Sequence, residues 1–199
     1  MSIKEILSTD ILCMDGGMGT LLQAAGLAPG EQPERWNLSH PDAVRAIHQA
    51  YIEAGSRIIS TNTFGANPGH YTDAELETII PAAVQNVRAA IADAGVSDAY
   101  VALDIGPSGK LLRPYGDLDF EDAVEIFAKT VRLGYKYGAD LIFIETMNDS
   151  YETKAALLAV KENCDLPVFV SNAYGEGGKL MTGAEPAAMV ALLQGMGAD

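Results

Sequence analysis

The stretch Tyr135–Asp149, YKYGADLIFIETMND, decides the fold. A helical pattern ends at Gly138, an Asp follows, and an aliphatic run, Leu141–Ile144, closes on the polar Glu145 and Thr146. A short apolar run without polar alternation reads as a strand buried on both faces, as in a parallel sheet. The same punctuation occurs in EAGSRIIS (53–60), where another helix end leads into another apolar run, and again in the terminal GMGAD (195–199).

Working outward, five such runs read as strands: Asp10–Gly17, Arg57–Phe64, Tyr100–Pro107, Leu141–Met147 and Pro167–Tyr174. Helical patterns separate them. HPDAVRAIHQAYIEAG (40–55) sets Val44, Ile47, His48, Tyr51 and Ile52 on one face and stops at Gly55. AELETIIPAAVQNVRAAIADAG (74–95) is expected to be divided by Pro81, or to begin its second part there. DFEDAVEIFAKTVRLGYKYG (119–138) opens on an Asp cap, and DSYETKAALLAVKENC (149–164) on a capping box formed by Asp149 or Ser150 with Glu152. GAEPAAMVALLQGMG (183–197) is the last helix.

Unbroken alternation of strand and helix means an α/β parallel sheet. An open doubly wound sheet and a (β/α)8 TIM barrel both satisfy it. Polar residues gather at every strand's C-terminal end: Asp15, Thr61–Thr63, Asp104, Glu145 and Asn172. Contributions from all strands suit a barrel mouth, whereas a switch-point crevice draws on two or three. The fold expected is therefore a partial (β/α)8 barrel of about five βα units.

The formal charge of −14 and absence of a basic cluster argue against nucleic acid, whose phosphates need Lys and Arg. No apolar run reaches the ~20 residues of a membrane helix, and the N-terminus has no signal-peptide core. Two cysteines, Cys13 and Cys164, make no disulfide framework. Both read as buried free thiols, and a cytoplasmic location is expected by default.

In MDGGMGT (14–20) a Gly pair follows a strand, so that backbone N–H groups can approach an anion beside the Asp15 carboxylate. An amino acid has the matching shape: its carboxylate fits the amides, its ammonium Asp15. A tight turn with a capping Asp would look the same. Glu145 ends an aliphatic strand, where a carboxylate needs a partner. Asp15 and Glu145 could hold an ammonium together, or Asp15, Asp104 and Glu145 could hold Mg²⁺ through oxygen ligands. The residue types alone do not choose. STNTFGAN (60–67) offers hydroxyl and amide groups for orienting a ligand, and equally for satisfying local backbone. DIGPSG (104–109) reads as a rigid turn. His40, His48 and His70 form no pattern, and Cys13 reads as a small packed hydrophobe on the same side of its strand as Asp15.

Several stretches together, DGGMGTLLQ, ERWNLSHPDAV, AYIEAGSRIISTNTFGAN, ALDIGPSGKLLRPYGDL, GADLIFIETMND and PVFVSNAYGEGGKLMTGAEP, span nearly the whole chain. In that order the sequence resembles the homocysteine S-methyltransferase domain, above all the homocysteine-binding module of cobalamin-dependent methionine synthases. NPGHYTDAELETII (67–80) is a departure, shorter and more irregular than the family's loop.

The resemblance implies a methyltransferase that binds homocysteine at the mouth of the barrel and methylates its thiolate to methionine. Asp15 and Glu145 match the positions that hold the amino group. The amides of Gly16, Gly17 and Met18 would meet the carboxylate, with Thr61, Asn62, Thr63 and Asp104 completing the substrate-binding set. It also implies zinc held by three cysteines, which activates the thiol, and methylcobalamin as methyl donor on a separate module, with a folate-binding module alongside. Neither Cys13 nor Cys164 matches a zinc position, so no metal ligand and no catalytic residue is carried over.

On this reading residues 1–199 are the N-terminal portion of a homocysteine-binding barrel lacking three βα units, not competent for turnover alone. Its exposed strand edges would favour self-association. Two rival readings are a divalent-metal lyase or aldolase-like barrel using Asp15, Asp104 and Glu145, and a non-catalytic self-associating module.

Overall fold

The computed structural model describes residues 3–199. Its core is one parallel sheet of four strands in sequence order: β1 (Ile58–Ser60), β2 (Tyr100–Ile105), β3 (Leu141–Met147) and β4 (Val168–Asn172). Sequential parallel order requires a crossover between each pair, and the helices supply it. The helices are α1 (Ile3–Leu7), α2 (Gly19–Ala24), α3 (Trp36–Ser39), α4 (Pro41–Glu53), α5 (Asp73–Asp93), α6 (Phe120–Lys136), α7 (Ser150–Asn163) and α8 (Pro186–Gly195), of which α5, α6 and α7 make the three crossovers. The architecture is that of a partial (β/α)8 barrel. Among the described residues no helix is long and apolar enough to cross a membrane.

Both sheet faces are apolar, which is why the strands carry no polar alternation. Ile105, Ile142, Ile144 and Val168 point to α6 and α7, where they pack with Phe127, Val131, Leu157 and Val160. Ile59 and Val101 pack against Val84 and Val87 of α5. The alternate positions, Ile58, Ala102, Leu141, Phe143 and Phe169, cluster on the other face with Met14 and Ile3. Continued by the period of two, that face carries Ser60, Asp104 and Glu145 to the strands' C-terminal ends.

The first apolar run does not form the expected strand. It is reduced to a single parallel bridge, Met14 to Ile58, with the N–H groups of Arg57 and Ile58 both donating to the Cys13 carbonyl. Among the described residues no strand pairs with its other edge, and Ile11 is 94% exposed. The pairing with β1 stops after this one bridge. Cys13 is exposed rather than buried, and Cys164 is half-buried.

Pro81 does not divide its helix; α5 runs 21 residues through it. A proline costs one backbone bond, but α5 starts on a full capping box between Thr72 and Glu75 and buries Leu76, Ile79, Ile80, Ala83, Val84 and Val87. Burial on both sides of Pro81 keeps the helix continuous across the missing bond. Asp119 is the N-cap of α6 by position but caps nothing, and its carboxylate pairs with Arg113 instead. Asp149 does cap α7, accepting from the N–H groups of Tyr151 and Glu152. Glu152 does not reciprocate: buried, it accepts from the Ser108 N–H and hydroxyl, pinning the loop after β2.

The repeated Gly-Ala-Asp has one structural meaning. The Asp140 N–H donates to the Val101 carbonyl and its carboxylate accepts the Val101 N–H. The Asp199 N–H and carboxylate do the same with Val168. In each case the Asp closes a two-way hydrogen-bonded pair with a residue at the start of the preceding strand.

Candidate active site at the strand ends

The C-terminal ends of the strands open into a cavity of about 510 Å³. Asp15, Gly16, Gly17, Met18, Thr61, Asn62, Asp104 and Glu145 all line it. These eight come from the loop after the first run and from the ends of β1, β2 and β3, separated by up to 130 residues in sequence. Thr63 stands just behind. Its hydroxyl donates to the Asp104 carbonyl at 2.7 Å and shares a 2.6 Å hydrogen bond with the Thr61 hydroxyl. Thr61 Oγ1 in turn accepts the Asp104 N–H at 3.1 Å. The two threonines therefore fix Asp104 at both ends of its backbone. Asn172 lies outside the cavity and ties β4 to Met147 and Thr153.

The glycine turn is shaped by a close approach. Tyr51 donates its hydroxyl to the Gly17 carbonyl at 3.1 Å, and a Cβ on Gly16 would sit 3.0 Å from that same oxygen. The N–H groups of Gly16, Gly17 and Met18 donate to no group among the described residues. Three unpaired amides beside a cavity are available to an anionic ligand group.

Asp15 Oδ2 accepts the Ser60 N–H at 2.9 Å. Burial nevertheless pushes its pKa up to about 7, with the Ser60 hydrogen bond opposing and the Glu145 charge adding to the rise. Asp104 is 5% exposed, and its Oδ1 has no hydrogen-bond partner. Burial first, then the charge and hydrogen bonding of Glu145, then Asp15 and Glu34, raise its pKa well above the carboxylate range. Glu145 is followed by Thr146 at φ 58°, a left-handed conformation that a β-branched residue rarely takes. The β3–β4 register shifts there, between Ile144 and Met147, and Ser171 Oγ accepts the Thr146 N–H. Glu145 thus sits on a bulge rather than on a regular strand.

The residue types alone did not single out Glu34. It lines the cavity at 5% exposure, accepting the Gly65 N–H at 2.6 Å and the Tyr71 hydroxyl at 2.7 Å. Asn37 and Asn62 add further links between its segment and the loop after β1, through the Asn62 and Pro33 carbonyls. Its sequence signal is its place at the head of ERWNLSHPDAV (34–44), one of the stretches that carry the family resemblance. Phe64, Phe143, Met14 and Met18 supply apolar walls.

The lining holds four acidic side chains, Asp15, Glu34, Asp104 and Glu145, and no Lys, Arg or His. A cationic group is the complement of such a cavity. The Mg²⁺ arrangement is not supported: among the described residues no three His, Cys, Asp or Glu side chains form a metal-holding group. Nor do the residues present fit thiolate-bound zinc, since neither Cys13 nor Cys164 lines the cavity and Cys164 ends α7. His48 is a core residue of α4, fully buried, with its pKa pushed down to about 4 by burial.

A homocysteine S-methyltransferase family profile matches residues 12–198. The methionine synthase of Mycobacterium tuberculosis is 29% identical over 214 residues, and that of Mycobacterium leprae 28% over 216. Each alignment takes in 99% of this chain but 18% of the mycobacterial protein, so the chain spans under a fifth of these relatives' length. Among solved structures, the metallated homocysteine methyltransferase MmuM of Escherichia coli superposes with a TM-score of 0.85 at 22% identity, covering 98% of this chain and 74% of that one. Its apo form gives 0.75 at 23%, covering 96% and 71%. At such identities the likeness speaks for the fold.

Proposed function

The chain belongs to the homocysteine S-methyltransferase family, and from that premise we propose that its cavity binds homocysteine as the acceptor of a methyl group. The observation that carries this reading is the acidic cavity without a basic residue, set beside three unpaired amides. An α-amino acid presents one ammonium and one carboxylate a few ångströms apart. Asp15 and Glu145 would take the ammonium, as charge-assisted hydrogen bonds to carboxylates are the stronger kind. The Gly16, Gly17 and Met18 amides would take the carboxylate. Thr61, Asn62 and Thr63 hold the rim by the hydrogen bonds described above, and the side chain of the ligand would lie against Phe64, Phe143 and the methionines.

Methyl transfer to sulfur requires a thiolate, and the family's zinc supplies it when bound. The side chains lining this cavity do not fit that metal, since neither Cys13 nor Cys164 is among them. This chain's own part is to grip and orient the amino acid. Methylcobalamin as donor, and modules carrying cobalamin and folate, belong to the same proposal; the similarity to methionine synthases supports them. Self-association through the edge of β4 and the loose first run is a further part.

Isothermal titration with L-homocysteine tests the reading. Binding is expected, and Asp15→Asn and Glu145→Gln are each expected to weaken it about tenfold or more. Tight binding of Mg²⁺ with none of homocysteine would overturn it in favour of the metal-dependent alternative.

A further inference from the structure

Four carboxyl groups and one expected ammonium leave an excess of negative charge in a half-enclosed space, and Asp104 shares with Glu34 the least access to water but, unlike Glu34, has a carboxyl oxygen without a partner. It stands on β2 beside Phe143 of β3, so that Glu145, two residues further, is its diagonal neighbour on the same sheet face. Its backbone N–H and carbonyl are both held by the threonine pair, so the side chain cannot swing away by a backbone shift. Its Oδ1 is buried without a partner, and the Glu145 side chain lies within hydrogen-bonding reach of its carboxyl. The charged groups facing it are Glu145 from β3, Asp15 from the loop before α2, and Glu34 from the turn before α3, all acidic. A buried carboxylate with only acidic neighbours is disfavoured, and such a group keeps its proton.

We propose that Asp104 serves this site as a neutral acid, a positioning residue whose carboxyl donates a hydrogen bond to Glu145 and orients it toward the ligand. Asp15 and Glu145 then meet the ammonium, while Asp104 brings no third charge to it. The proton stays on Asp104 in both the free and the bound site. The inference rests on the amino-acid-binding reading above for its ligand, but not for the protonation state.

Two measurements on the whole chain test it. In infrared difference spectra, wild type at neutral pH should show the carbonyl stretch of a protonated carboxyl that disappears in Asp104→Asn. A spectrum with no such band overturns the proposal, whether or not homocysteine binds. In titrations with L-homocysteine, Asp104→Asn, which keeps a neutral donor at this place, should hold affinity within about threefold of wild type. Asp104→Ala, which has none, should lose about tenfold. Thermal melts of both variants check that they fold. If Asp104→Asn instead loses as much as Asp15→Asn, Asp104 is a charged ligand of the ammonium and the proposal fails. A wild-type chain that binds no amino acid sinks the proposed function, while the infrared band still decides the state of Asp104.

Discussion

The Asp15 carboxylate accepts the Ser60 N–H at 2.9 Å, tying the loop after the loosely paired first run to the last residue of β1. This one bond spans 45 residues of sequence and adds a side-chain tie to the backbone pairing of Cys13–Asp15 with Arg57 and Ile58. It also holds the carboxylate where the sheet and the glycine turn shield it from water.

That shielding makes stability depend on pH. Asp15 titrates at about 7 in the folded chain against 3.8 for an ordinary Asp. A raised carboxyl pKa favours folding while the group is protonated. The contribution is complete below pH about 4 and is lost as pH rises through about 7. Asp15→Asn should flatten this part of the profile, by up to a few kcal/mol at ~1.4 kcal/mol per unit. Urea melts of both proteins between pH 4 and pH 8 check it; parallel profiles would show that Asp15 is not the titrating group.

Ligand affinity should run the other way. An ammonium beside Asp15 needs the ionised carboxylate, so homocysteine should bind more tightly as pH rises toward about 7, by at most tenfold per unit, and level off above. Asp15→Asn should bind weakly with no such slope. Titration calorimetry across that range is the measurement.

Thr146 carries backbone strain next to Glu145. A left-handed β-branched residue costs about 1–2 kcal/mol, and glycine relieves it at an entropic cost of about 0.5–1 kcal/mol. Thr146→Gly should therefore leave the melting temperature nearly unchanged. It should nonetheless weaken homocysteine binding several-fold, because the bulge that aims Glu145 loses its stiffness. A large loss of stability with normal affinity would contradict this.

Asp140 accepts the Val101 N–H at 2.7 Å at the entrance to β2 and pairs with the partly exposed Arg88. Asp140→Ala should cost about 1–3 kcal/mol, mostly through the unpaired N–H of a fully buried residue. Arg88→Ala should cost under about 1 kcal/mol, since exposed ion pairs contribute little. Denaturant melts of the two variants separate these terms.

Much of this was present in the chain itself. The aliphatic runs at Leu141–Ile144 and Tyr100–Ile105, the glycine stops at Gly55 and Gly138, and the acidic ends of the runs specify alternating parallel strands with polar rims. Local preference and burial act within a few residues, so they are written in the order of residues. The first run made only one bridge to β1 and left Ile11 and Cys13 exposed, an outcome that nothing within residues 10–17 announces. Pro81 stayed inside α5 because burial along both halves outweighed one missing bond, a sum that only packing supplies. Glu34 entered the site through Gly65 and Tyr71, 31 and 37 residues away, and Asp104 became a neutral acid only when folding set Glu145, Asp15 and Glu34 around it. Sequence determined which carboxylates exist and which strands end in them. Tertiary structure decided their company, and in a water-poor cavity company sets the charge.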